Sequence, residues 1–564
     1  MAKAIKNAII ATVVVVAVMY GASVLLTTFG GTAGAAAAAT LSKGILMAAA
    51  TTFVGSLVSS AMGAMFNEGF NSNNANLGTK TTTRQSIAPR QIVYGTCRTG
   101  GVIAHIETTG TNNHKLCILS VVSGHPIAGF VSVRFGDTTV TTSSSTISGE
   151  TVFRVTNSDF VNSDNENAFT GGSLARFTFH DGTQTARDGL AAATLGSTSI
   201  PTTHKYTDCA YFYFEFIFDS EAMSSIPPIS YTLKGKNVFD PRTNAAATTD
   251  LQRENPALQI RDYLTDTVYG MRAESSEIND TTNAGGFAAA ANTCDQNVTL
   301  ADGSSTEKRY KASGFSTFSA SGESIINGLQ SAMAARLTYT NGQFNIFAGA
   351  AQTPTLTITD DDLLAPIQID TGSGSSRGQL FNQVKAIFVD ASNSFKTDET
   401  PILSDTTMLS QDTPSGSSSN NFRKTLEAQL PFTTSNTMAQ RIGKIQLKYQ
   451  RKTMSVQVNV GMKFIRLQPN DFVYITNERL GFNQKMFEVQ TTGMSLDDDG
   501  SGALAASINL SLLEISADVW DFATNEYTTA IGEGSVINTG SFAQAAPTIG
   551  SLTQRAVITG PHTT

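Results

Sequence analysis

Cys97, His105, His114 and Cys117 are of the residue types that bind zinc. A tetrahedral site needs four such ligands, usually as tight pairs on turns. Only His114 and Cys117 are closely spaced. Cys97 and His105 fall on expected strands, so core or sheet positions are the plainer assignment. Two acidic triplets, Asp360–Asp362 and Asp497–Asp499, carry oxygen donors of the kind calcium prefers. The second runs into Gly500 but lacks the alternating donors of an EF-hand loop. Turn and helix-start roles are expected for both. No nucleophile elbow, HExxH pair or phosphate-cradling loop occurs. The remaining histidines, His125, His180, His204 and His562, are scattered. No catalytic residue, metal ligand or cofactor is assigned, and an enzyme is not expected.

The elements that carry these residues divide sharply at Glu68, the first acidic residue of the chain. Before it the only side-chain charges are Lys3, Lys6 and Lys43. Two apolar stretches fill that region, Ala8–Leu26 and Ile45–Phe66, joined by the Gly/Ala tract 30–40. Each approaches the length of about 20 residues that spans a bilayer as a helix. Two such stretches fit a cleaved leader poorly, because the apolar core of a leader is shorter and single. A helical hairpin is expected, with Val13, Val16, Leu25, Phe53 and Leu57 on apolar faces. Gly55, Ser59 and Gly63, four residues apart, would allow close helix packing.

The rest of the 564 residues is polar and rich in Ser, Thr and Gly. Hydrophobic content of 40% with 15% charged residues describes a folded chain of several domains. A net charge of -8 argues against a nucleic-acid-binding surface and is compatible with a wall past which a polyanion slides. Four cysteines without a CxxC pair point to a reducing compartment of synthesis.

Short β-branched runs predict strands at 91–94, 102–107, 116–122 and 130–135. Residues 209–219 (CAYFYFEFIFD) predict a strand buried at least on its Phe face. Helices are expected at 255–269, where Asn255 caps and Pro256 takes the first position, at 321–337, and at 434–448. Asn341-Gly342 between β-formers predicts a hairpin. Together these give an α+β class, mainly antiparallel β. The expected domains are 1–70 (apolar hairpin), 71–90 (linker) and 91–250 (β domain with a loop-rich insertion at about 141–205). Residues 251–375 (helix-containing), 376–515 (second β domain) and 516–564 (extended arm) complete the set.

From Tyr231 the chain reads YTLKGKNVFDPRT and then NPALQIRDYLTDTVYGM. These segments resemble the middle of the tail-tip attachment (host-specificity) proteins of long-tailed, lambda-like bacteriophages. The resemblance keeps family order through RYKASG at 309–314, DDDL at 360–363, FNQVKAIFVD at 381–390, AQRIGK at 439–444 and LQPNDFV at 467–473. Upstream, IAPRQIVYGTCRTGG at 87–101 is similar to the family's first strand. The motif residues are Tyr94, Gly95, Asp240, Pro241, Arg242, Asp262, Tyr263, Leu264, Tyr269, Gly270 and Asp471.

The resemblance implies a baseplate or tail-hub fold with tube-like β domains. It further implies a homotrimer at the distal tail tip of a virion, made in the host cytoplasm. Such a hub closes the tail tube, adapts sixfold to threefold symmetry and opens for DNA ejection. Implied partners are the distal tail protein, the tail tube, the tape-measure C-terminus in the lumen and separate tail fibre or receptor-binding proteins. DNA would be met only in passing, and the apolar hairpin adds the host membrane at infection. Two departures stand out: the apolar hairpin itself, and the lack of fibronectin-like and central-fibre modules before Thr564. Two other classes compete, a two-span membrane-anchored envelope protein and a tail-associated cell-wall hydrolase.

Overall fold

The computed structural model describes residues 88–520, apart from 301–302, 355, 372–379, 419–421 and 499–503. The apolar hairpin, with Val13, Val16, Leu25, Phe53, Gly55, Leu57, Ser59 and Gly63, lies outside the described residues. So does the arm beyond Trp520. Among the described residues no helix is long and apolar enough to cross a membrane.

The first unit contains β1 (Gln91–Tyr94), β2 (Thr96–Thr99), β3 (Val102–Thr109), β4 (Lys115–Ser123), β5 (Gly129–Phe135) and β6 (Thr138–Thr139). It continues with β7 (Thr142–Ile147), β8 (Glu150–Val155), β9 (Ala175–His180), helix α1 (Gly189–Ser199), β10 (Ala210–Ile217) and β11 (Ile229–Lys234). Strands β3-β4-β10-β9-β8-β7 form a six-stranded antiparallel sheet, and β2-β11-β5-β6 form a four-stranded one. The two sheets pack through Phe212, Phe214 and Phe216 of β10, and Phe212 stacks on Tyr231 with ring centroids 4.6 Å apart.

All eight residues of β10 are buried. Alternation put the tyrosines on the opposite face, and α1 covers that face, with Leu190 and Ala191 against Tyr211 and Tyr213. Buried Glu215 on the same strand is held by Arg176 at 2.7 Å. The segment 141–205, expected to be a loop-rich insertion, instead supplies β7, β8, β9 and the covering helix. Its edge strand β7 (TSSSTI) alternates exposed and half-buried positions. Ser and Thr suit such an edge, so a loop-like composition concealed a strand.

Two short hairpins follow, β12 (Phe239–Asp240) with β13 (Ala245–Ala246), and β14 (Asn297–Thr299) with β15 (Thr306–Lys308). Around them lie α2 (Asp250–Arg253), α3 (Pro256–Thr265), α4 (Phe287–Cys294), β16 (Gly314–Thr317) and α5 (Gly322–Ser331). Asn255 caps α3 through Ala257 and Leu258 N–H, with Pro256 in the first turn. The chain then makes the hairpin of β17 (Arg336–Thr340) and β18 (Gln343–Phe347). Its turn residues Asn341 and Gly342 take φ of 54° and 79°, which the hairpin twist requires.

The last third contains β19 (Leu356–Ile358), β20 (Gln368–Asp370), β21 (Gln383–Asp390), β22 (Lys396–Glu399), β23 (Leu403–Ser404), α6 (Thr406–Asp412) and β24 (Thr425–Leu430). Then come α7 (Asn436–Gln450), β25 (Ser455–Val460), β26 (Phe472–Asn477), β27 (Phe482–Asp498) and β28 (Leu504–Glu514). Strands β19-β26-β27-β28-β25-β20 form a second six-stranded sheet, while β21 pairs with β22, β23 and β24.

Contacts cross the boundaries expected from sequence. Strand β1 pairs with β16, so the start of the first unit is stitched to the helical one. Strand β19 runs parallel to β26 across the division expected at 375/376. One hydrophobic core joins α3, α4, α5, β21, β24 and α7. The segment expected to begin an arm at 516 is still packed, because Val519 is buried in that core.

Candidate functional site: buried polar knots between the units

Where the first β unit meets the helical unit, three segments converge on one carboxylate of helix α3. Tyr94 ends β1 and its hydroxyl donates to Asp262 Oδ2 on α3 at 2.8 Å. Tyr269, in the turn after α3, donates to the same oxygen at 2.9 Å. Lys236, just past β11, places Nζ 3.0 Å from Asp262 Oδ1 and 2.7 Å from Asp266 Oδ2. The same ammonium donates to the Tyr269 hydroxyl at 2.8 Å. His125, after β4, packs against the Tyr269 ring at 5.5 Å and accepts a hydrogen bond from Val93 N–H at Nε2, 2.9 Å.

The electrostatics follow from burial. Desolvation, then the neighbouring Asp262, drives the Tyr94 and Tyr269 hydroxyls well above their ordinary range, so both remain donors. Burial alone would lower Lys236, but Asp262 and Asp266 outweigh it and the ammonium is raised. Burial opposes ionisation of Asp266, yet hydrogen bonds from Lys236 and two backbone amides leave it lowered. Burial holds His125 neutral, with its pKa lowered to about 4. Hydroxyls and an ammonium held this way position chain segments against one another.

The turn that presents Tyr269 has no slack. Asp266 accepts from Val268 and Tyr269 N–H, and Met271 N–H bonds Tyr263 O at 3.0 Å. A Cβ on Gly270 would lie 2.1 Å from that same Tyr263 oxygen. Tyr263 and Leu264 themselves are core residues. Gly95, at φ 61°, lets β1 turn past Ser313, where a Cβ would come within 2.3 Å of Oγ.

A second knot is built on the loop Asp240-Pro241-Arg242. Asp240 is buried and caps its own turn by accepting from Arg242 N–H at 2.9 Å. The Arg242 guanidinium then bridges Asp240 at 2.8 Å and Asp295 beyond α4 at 2.6 Å. Its pKa is raised, first through the hydrogen bond to Asp240. Half-buried Pro241 makes the corner. Asp471 belongs elsewhere: it accepts from Gln468 N–H at 2.9 Å in the turn before β26, and burial raises its pKa.

The structure therefore gathers Tyr94, Asp262 and Tyr269 into one knot and Asp240 and Arg242 into another. Lys236, Asp266 and His125 were not singled out from sequence. The signal for Lys236 was available, since Asp262 and Asp266 are one helical turn apart and need a cation between them. Further knots escaped it too. Fully buried Arg441 of α7 pairs with Glu307 of β15, and Arg336 pairs with Glu488. Cys97 lies in the four-stranded sheet and Cys117 in the six-stranded one, and His114 bonds Thr111 O. Among the described residues no group of three or more His, Cys, Asp or Glu is placed to hold a metal. Asp362 serves as part of the cap of a short turn and pairs with Lys463.

Residues 321–491 match the family model Phage-tail_3, described as putative phage tail protein. The chain is 24% identical over 334 residues to baseplate hub protein pb3 of Escherichia phage T5, covering 56% of this chain and 32% of that protein. It thus spans about a third of the length of that relative. A chain of the virion of a native gene transfer agent particle is similar at 12% identity, covering 86% of this chain and 98% of that one, with a TM-score of 0.49. The 43 kDa tail protein of prophage MuSo2 from Shewanella oneidensis is similar at 9% identity, covering 78% and 99%, with a TM-score of 0.26. These two likenesses are too loose to carry an argument. The sequence matches support a phage tail or baseplate protein, and do not single out the lambda-like tail-tip group.

Proposed function

We propose that this chain is a hub subunit of a virion tail tip, present as three copies and acting without catalysis. The observation that carries this reading is the similarity over 334 residues to a baseplate hub protein. The geometry is compatible with it. Two six-stranded sheets flank a helical unit, and buried charged knots tie the units together across long sequence distances. A part that must hold a tube closed under load gains from such ties, because breaking a buried pair leaves an uncompensated charge.

In this reading the trimer sits at the distal end of the tail tube and adapts its sixfold symmetry to three. It contacts the distal tail protein and tail tube on one side and separate fibre or receptor-binding proteins on the other. The tape-measure C-terminus lies in the lumen until the hub opens and DNA passes. The acidic balance of -8 keeps a polyanion from adhering to the wall. The subunit is made in the host cytoplasm, and its four buried cysteines, none in a disulfide, agree with synthesis in a reducing compartment. Mass photometry of the purified full chain tests the oligomer: a species of three chains supports the reading, and a monomer at all concentrations contradicts it.

A further inference from the structure

One of the knots, Arg336 with Glu488, lies in the wall of a cleft of about 820 Å³, open mouth included, between α5, the end of β18, α7 and the turn before β26. That volume includes open solvent, and the enclosed space is about 100 Å³. Charge is balanced within it. Among the described residues the only charged side chains on its wall, Arg336 and Glu488, pair with each other, and Tyr449 donates to Glu488 at 2.8 Å. Among the described residues the wall therefore offers no free cation for an anionic ligand.

What remains unpaired is carboxamide. Asn470 is buried, and its Nδ2 has no hydrogen-bond partner among the described residues. Gln446 lines the cleft and makes no side-chain hydrogen bond among the described residues. Gln330 spends its Oε1 on Leu337 N–H at 3.2 Å, which leaves its Nε2 without a partner among the described residues. The same wall includes Phe472 and Trp520, with ring centroids 5.3 Å apart. The backbone on the β18 side is already engaged at Gly349, whose N–H bonds Met333 O at 3.0 Å and whose oxygen accepts Tyr310 at 2.6 Å. Strand addition by a peptide needs free backbone there.

We infer that this cleft binds a neutral saccharide unit. Carboxamides both donate and accept, matching adjacent hydroxyls, while an aromatic wall takes the apolar C–H face of a sugar ring. The inference stands on the cleft alone and does not depend on the hub reading. Trp520 is the only tryptophan of the chain, so its emission reports the cleft directly. Purified full-length protein is titrated with glucose, galactose and N-acetylglucosamine, with sialic acid and a Gly/Ala/Thr peptide as comparisons. The expected result is a saturable change with at least one neutral sugar, at a dissociation constant on the order of millimolar. Gln446→Ala, and separately Gln330→Ala, each with unchanged melting temperature, should weaken it about tenfold. No saturable change with any of the three sugars overturns the inference. So does a response confined to sialic acid or the peptide, or an equal response in both folded variants.

Discussion

Tyr94 and Asp262, 168 positions apart, meet at 2.8 Å, and Tyr269 reaches the same carboxylate oxygen at 2.9 Å. One buried oxygen thus ties the first β unit to helix α3 and to the turn that follows it.

Removing one donor should cost less than removing the acceptor. Tyr94→Phe deletes a hydrogen bond to a charged group and should destabilise the chain by about 1.5–3 kcal/mol. Asp262→Ala leaves two buried hydroxyls without their acceptor and Lys236 with Asp266 as its one remaining carboxylate, and should cost about 3–5 kcal/mol. Urea unfolding followed by circular dichroism reads both. The double variant Tyr94→Phe/Tyr269→Phe should depart from additivity, because both donors share one atom.

His125 gives the chain an acid-sensitive term. Its folded pKa, about 4, lies below the ordinary value of 6.5, so the unfolded state binds the proton first. The neutral ring's contribution is therefore complete above about pH 6.5 and is lost as pH falls towards 4. Protonation would also set an N–H at Nε2 against the Val93 N–H that it now accepts. Unfolding free energies at pH 7, 5.5 and 4 should fall more steeply in the native chain than in His125→Gln. Equal slopes would remove His125 as the cause.

Gly270 and Gly342 should respond differently to alanine. At Gly270 a Cβ would lie 2.1 Å from backbone, so Gly270→Ala should lower stability by several kcal/mol, on the order of a severe core change. At Gly342 nothing lies within 4 Å and only the φ of 79° is strained, so about 1–2 kcal/mol is expected. Soluble yield and melting temperature separate the two.

All four cysteines are buried and none is in a disulfide, and burial pushes the Cys117 thiol up to about 12. Aromatic disulfide reagents at pH 8 should label none of them quickly in the folded chain and all four in denaturant. Fast labelling of even one thiol in the folded chain would contradict the packing around that cysteine.

Much of this was legible in sequence where a local rule sufficed. Asn255 and Pro256 announce α3, and Asn341-Gly342 announces its hairpin. The alternation in 209–219 announces a central strand. Legibility ended where composition and partner disagreed. The Ser/Thr-rich run at 142–147 is a strand because a neighbour at 150–155 pairs with it, which no local pattern records. Likewise β19 and β26 pair across more than a hundred residues. The motif residues Tyr94, Asp262 and Tyr269 could be named from sequence, but their shared oxygen could not. Lys236 joins them from just past β11, and Asp266 from the turn whose geometry is set by Gly270.

Cryo-electron microscopy of the particle that contains this chain would show whether three copies sit at the tail tip. A tag inserted at the exposed Asn341-Gly342 turn would mark each copy. The account predicts three tags around the axis at the distal end of the tail tube. Tags spaced along the tube, or absent from the particle and found in the cell envelope, would contradict it.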